Sequence, residues 1–201
     1  MKHVKALIAP LLFIALAFPA FAAEKLSLNE ISRYLNGLKT VKTEFTQINA
    51  DGTISTGTIY IRRPGRARFE YNPPSDALVI AGGQQLAIFD AKSNTGPTQY
   101  PLKRTPLNLI LARNVDLSRA GMVVGHGFDG VSTTVTAQDP ENPEYGNIQL
   151  FFTDTPVQLR QWIITDDAGD QTTVILGALE EVSQLNNNLF SISGEIKRRE
   201  R

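Results

Sequence analysis

From Ser27 onward, apolar residues fall at Leu28, Ile31, Leu35 and Leu38, the spacing that sets them along one side of a helix. Ser27 and Glu30 stand three apart at its start. There a serine oxygen accepts from the amide three residues on, and the glutamate returns the bond. A helix over 28–38 is predicted. Past Gly37 the period drops to two. In 58–62 and 66–71 the odd positions are apolar and the even ones mostly polar, the pattern of a sheet with one wet face. Further strand-like runs lie at 77–81, 86–90, 122–124, 131–137, 148–153, 158–165 and 172–179. They are punctuated by hairpin residues: Asp51-Gly52, Gly82-Gly83, Asp129-Gly130 and 167–170. Closely spaced antiparallel strands without repeating helices predict one large curved sheet rather than a βαβ fold. One apolar helix interrupts it at 105–113, where Thr105 offers a cap, Pro106 suits the first turn, and Leu107, Ile110 and Leu111 share a face. The run 139–144, with two prolines, reads as an exposed loop.

The first residues change the picture of where this sheet folds. Lys2 and Lys5 precede an apolar run over 6–18, and Ala20 and Ala22 form a small-x-small site, the three parts of a secretory leader. Cleavage after Ala22 is expected, leaving a single soluble domain over 23–201. Loss of Lys2 and Lys5 leaves 18 basic against 20 acidic residues, a net charge of −2, with no footing for nucleic acid. The chain has no cysteine. It needs no disulfide to hold its fold, and thiolate zinc sites and cysteine nucleophiles are excluded.

Catalytic chemistry is sparse. His126 is the one histidine beyond the leader and sits between Gly125 and Gly127, with no serine or acid placed beside it in a triad pattern. A structural or solvated role is the simpler reading. Asp139, Glu141 and Glu144 lack the Asp-x-Asx-x-Asx-Gly arrangement of a calcium loop. No glycine-rich loop opens a helix to cradle a phosphate. The expectation is a protein that is not an enzyme and takes no metal or cofactor.

Several motifs then resemble one family in order along the chain. They are 57–71, with Arg62-Arg63-Pro64-Gly65 at its centre, then Pro73-Pro74 and 78–83. Phe45-Thr46-Gln47 follows the first helix, Thr105-Pro106-Leu107 opens the central one, and 166–172 forms a late hairpin. Together they resemble the periplasmic lipoprotein carriers of the LolA family. The resemblance implies an α+β fold that is mainly β: an open, incomplete antiparallel β-barrel with a helical lid over its concave apolar face. It also implies acylated lipoproteins as cargo, taken from an inner-membrane ABC transporter and passed to an outer-membrane acceptor. The carrier is expected to be a periplasmic monomer.

By the same resemblance Arg63 is the residue that bonds backbone carbonyls of the lid and latches it shut. An arginine fork suits that task, with five donors and a permanent charge. The lid helix carries Leu107, Leu109, Ile110 and Leu111. Alternation places Ile59, Ile61, Ala67, Phe69 and Tyr71 on the apolar face, joined by Ile80, Ile88, Ile148, Leu150, Phe152 and Trp162, and these are expected to line an acyl-chain cavity. A slip of one residue would exchange the two faces of any strand. The basic tail 197–201 reads as a solvated end, one that an anionic membrane surface or partner could attract. Two other functions stay open at this stage. One is a periplasmic module that senses lipid or lipoprotein on the same half-barrel, which would be expected to carry a second domain or a membrane span. The other is a lipid hydrolase, disfavoured by the missing nucleophile motif.

Overall fold

A computed structural model of the chain describes residues 24–90, 96–119 and 121–200, so the expected leader at 1–22 lies outside the described residues. Helix α1 (Leu28–Gly37) starts where its capping box predicts. Ser27 Oγ accepts from the Glu30 amide at 3.2 Å, and Glu30 Oε2 accepts from the Ser27 amide at 2.8 Å. Ile31 and Leu35 form its buried side.

Twelve strands follow among the described residues: β1 (Thr40–Ile48), β2 (Ile54–Arg62), β3 (Ala67–Tyr71), β4 (Leu78–Gly82), β5 (Gln85–Phe89), β6 (Thr98–Pro101), β7 (Val123–Phe128), β8 (Thr133–Gln138), β9 (Asn147–Asp154), β10 (Val157–Thr165), β11 (Gln171–Leu176) and the short β12 (Glu180–Glu181). They form one antiparallel sheet in the order β6-β5-β4-β3-β2-β1-β11-β10-β9-β8-β7, with β12 beside the start of β1. β6 and β7 border the sheet and do not meet, so it is open, as the resemblance implies. The β1–β2 hairpin seeds the register, pairing Thr40 with Arg62 through to Ile48 with Ile54. Its turn uses Gly52 at φ +80, and Asp51 Oδ1 accepts from the Thr53 amide at 2.9 Å.

Register then sorts side chains by face. One cross-strand row on the inner face runs Ile59, Phe69, Val79, Ile88; a second runs Val41, Ile61, Ala67, Ala81, Leu86. On the other half, Val135, Leu150, Trp162 and Val174 align in the same way. β10 is irregular between Leu159 and Gln161, and this extra residue turns both Leu159 and Trp162 inward despite their odd separation. The amide of Leu159 there donates to Tyr34 Oη of α1 at 3.1 Å.

Two helices close the inner face. α1 lies over one half, and α2 (Leu107–Leu111) brings Leu107, Ile110 and Leu111 into the same core as Ile59, Phe69, Leu150 and Trp162. The central helix is shorter than the expected 105–113. Thr105 Oγ1 donates to Leu102 O at 2.8 Å, ending a 3-10 turn (Leu102–Arg104) rather than capping α2. Leu109 is half-buried at its edge.

The outer face is also covered in part, which the sequence reading missed. The basic tail is not a free end: Ile192–Arg199 is a helix, α3, whose Ile192 and Ile196 pack on Leu78, Ile80, Ala87 and Phe89. Ile80 therefore faces away from α1 and α2, correcting its assignment to the cavity face. It pairs with Arg68 and Ala87, while its neighbour Val79 points inward. Buried Glu195 holds α3 down, accepting from Arg198 at 2.6 Å and Arg199 at 2.9 Å and lying 3.6 Å from buried Arg68. Gly82 allows the segment before α3 to pass close, since a Cβ there would stand 2.1 Å from Phe190 O. The strand expected over 172–179 ends at Leu176, and the loop at 139–144 leads into a 3-10 turn (Pro143–Tyr145).

Candidate functional site

The site is built around Arg63, which follows β2 and turns its side chain up between α1 and α2. Its Nη1 donates to Leu35 O, and its Nη2 donates to Ala112 O at 2.5 Å and to Asn36 Oδ1 at 3.2 Å. Both carbonyls belong to helix ends, where no intrahelical amide follows to bond them. One guanidinium therefore ties the C-terminal turn of α1, the residue after α2, and the sheet together. Burial pulls its pKa down from the ordinary arginine value, and its Nε–H is buried without a partner among the described residues. The fit is tight but incomplete.

Further hydrogen bonds join the same pieces. Asn36 Nδ2 donates to Val115 O at 2.8 Å, and Asn36 Oδ1 accepts from the Val115 amide at 2.9 Å. Ser32 Oγ accepts from the Leu117 amide at 3.1 Å. The Gly65 amide donates to Leu111 O at 2.8 Å. None of the four contacts involves a strand of the sheet itself; each joins α1, α2, the β2–β3 turn or the segment after α2. These links lay beyond sequence reasoning, because no periodicity announces a pairing across 79 or 85 positions.

Beside the N-terminal end of α2 an open cavity of about 420 Å³ enters the inner face. Of the residues expected on the cavity face, Phe69, Tyr71, Ile88 and Trp162 line it, together with Leu107 of the helix; Val79, Leu86, Ile164 and Val174 were not foreseen. Ile59, Ile61, Ala67, Ile148, Leu150 and Phe152 also face inward, but they are buried in the core that α1 and α2 cover rather than lining the open space. Ile80 is on neither list. The lining is tied together by edge-to-face ring contacts of Phe45 with Phe69 and Tyr71, and of Phe69 with Trp162. Gly57, with a Cβ position 2.7 Å from Phe45 Cε1, leaves room for that ring. Tyr71 Oη donates to Gln47 Oε1 at 2.8 Å, and burial pushes its pKa up to about 12. The mouth is polar, with Arg104, Tyr145, Asp166 and Asp167 around it. Arg104 stacks on the Tyr145 ring at 5.2 Å.

His126 has a structural setting. Its Nε2 lies 2.9 Å from Leu26 O, and its carbonyl accepts from Lys25 Nζ at 2.9 Å, so it straps the segment before α1 to the β7 border. The buried Leu26 amide donates to Thr133 Oγ1 at 2.9 Å in the same strap. No described helix is long and apolar enough to cross a membrane.

The family model described as outer membrane lipoprotein carrier protein LolA matches residues 36–193. An outer-membrane lipoprotein carrier protein of Coxiella burnetii is 30% identical over 179 residues, covering 84% of this chain and 83% of its own. One from Cupriavidus pinatubonensis is 26% identical over 174 residues, covering 81% of each. The crystal structure of the LolA superfamily protein NE2245 from Nitrosomonas europaea shares 9% identity with a TM-score of 0.44, covering 83% of this chain and 98% of that one. The last likeness is too distant to add to the argument. The family match spans the last two residues of α1, all twelve strands, Arg63 and α2, and on it the chain belongs to the LolA family of outer membrane lipoprotein carrier proteins.

Proposed function

We propose that this protein carries acylated lipoproteins through the periplasm, sheltering their acyl chains on the inner face of the sheet, and performs no reaction on them. In this reading it receives cargo from an inner-membrane ABC transporter and gives it to an outer-membrane acceptor, acting as a monomer without cofactor. The observation that carries the proposal is the apolar cavity lined by Phe69, Tyr71, Val79, Ile88 and Trp162 beside a short helix held by one arginine.

Energetics explain why a carrier is needed and what this one must do. Each methylene kept from water is worth about 0.8 kcal/mol, so a multiply acylated protein with tens of methylenes is held in its membrane by roughly 20 kcal/mol or more. A methylene takes about the liquid volume of a water molecule, roughly 30 Å³. The 420 Å³ cavity thus has room for one long chain. Further chains require α2 to leave the inner face, exposing the surface that Leu107, Ile110 and Leu111 cover. The lid then competes with cargo for the same apolar surface. Binding and release are both kept within reach, because what the ligand gains is reduced by what the lid gives up.

The test uses the purified protein with inner-membrane vesicles bearing a tagged lipoprotein, the cognate transporter and ATP. A soluble complex of carrier and lipoprotein is the expected product. No such complex from a transporter shown to be active would refute the proposal.

A further inference from the structure

A second cleft, of about 500 Å³, shares no lining residue with the apolar cavity. It is walled by the β2–β3 turn, the tip of the β4–β5 hairpin, the 102–104 turn and the C-terminal end of α2. Three cationic residues, Arg66, Lys103 and Arg113, line it, and no aspartate or glutamate does. Among the described residues none of the three side chains forms an ion pair or a hydrogen bond. Six of the other arginines are tied into the structure: Arg68, Arg119, Arg198 and Arg199 with carboxylates, Arg62 and Arg63 with carbonyls. A concave surface of one sign concentrates its field and draws the opposite ion.

Gln84 is a separate pointer to the same place. It occupies the second position of the β4–β5 turn at φ +65, the described non-glycine residue with positive φ, directly after Gly83 at φ +56. Glycine or asparagine is the usual occupant of such a turn. Gln84 lines the cleft, as do Gln85 and Asn108.

From these juxtaposed groups we propose that the cleft binds a phosphate-bearing anion, either free or as a glycerophosphate headgroup of a lipid. A tetrahedral phosphate offers several acceptor oxygens, and guanidinium forks grip it with paired hydrogen bonds. The cleft is large enough for a glyceryl phosphate. Arg113 follows α2 while Arg66 stands between β2 and β3, so a bound phosphate spans the lid segment and the sheet beside the Arg63 contacts. The assignment does not depend on what the apolar cavity carries.

The full protein is titrated with inorganic phosphate and with glycerol 3-phosphate while backbone amide resonances are followed, and is floated with vesicles of phosphatidylcholine alone or mixed with phosphatidylglycerol. Saturable shifts at Gly65, Gln84 and Arg113 are expected with at least one free probe, or phosphatidylglycerol-dependent flotation. The double variant Arg66→Gln/Arg113→Gln weakens either at least tenfold, whereas Arg119→Gln, at a remote surface ion pair, does not. Shifts with the free probes identify phosphate alone as sufficient, and flotation without them identifies the headgroup as the source. Because these side chains hold no partner among the described residues, the double variant should unfold at the wild-type temperature; should it not, Lys103→Gln alone serves with a smaller expected loss. The proposal is overturned if neither probe nor vesicle binds, if the double variant binds as wild type does, or if acetate shifts the same amides as strongly.

Discussion

Replacing Arg63 by leucine tests the proposal that this residue latches α2 as a lid. The substitution removes three hydrogen bonds, to Leu35 O, Asn36 Oδ1 and Ala112 O. Asn36 Oδ1 keeps its bond from the Val115 amide at 2.9 Å, so the loss falls on the two helix-end carbonyls. Each charge-assisted bond is worth about 1.5–3 kcal/mol, set against desolvation of a guanidinium whose Nε–H already goes unmatched. A net loss of about 2–4 kcal/mol from the closed lid follows, roughly a 30- to 1,000-fold rise in the open population. Native-state hydrogen exchange reads this directly, because opening free energies are measured amide by amide. The informative amides are Gly65, Val115 and Leu117, whose bonds to Leu111 O, Asn36 Oδ1 and Ser32 Oγ hold lid segments together. They should exchange faster in Arg63→Leu, while amides of the β1–β2 hairpin keep wild-type protection. Arg63→Lys, with one ammonium in place of a fork, should fall between. Unchanged exchange at those three amides would refute the reasoning, and equal loss across the sheet would show a general stability effect instead.

Two further outcomes follow from packing and burial. Gly82→Ala forces its Cβ to within 2.1 Å of Phe190 O and should lower stability by about 1–3 kcal/mol in urea, whereas Gly37→Ala, with nothing within 4 Å, should not. In an alkaline absorbance titration one of the five tyrosines should ionise only near pH 12, and Tyr71→Phe should remove that step. Since the fold keeps the Tyr71 phenol neutral, the stability it contributes is complete below about pH 10 and is lost as pH rises through 12.

The sequence showed most of the sheet because one face of most strands is wet, and alternation then sets the phase. Where both faces are covered, that phase vanishes. The run Leu78-Val79-Ile80-Ala81 is apolar throughout, so nothing local tells Val79 from Ile80. The reason is α3, which covers the outer side there. Misreading the tail as solvated and misplacing Ile80 are thus one error seen at two positions. An uninterrupted apolar strand in an alternating sheet was itself a sign that some later segment packs on it. The irregularity in β10 hid in a similar way, since Leu159 and Trp162 fit no single alternation. Arg63 was found by resemblance; its three acceptors, 27 to 49 positions away, could be found only in the fold.

The unpaired borders at β6 and β7 bear on how much such a protein can hold. A cylinder of strands sewn to itself has a bore fixed by strand number and stagger. A sheet whose two margins are not joined has no such constraint. Slight changes of twist, shared over many strand pairs, spread it wider at little cost to any one hydrogen bond. For the carrier function proposed above, an unjoined sheet leaves room for loads of more than one size.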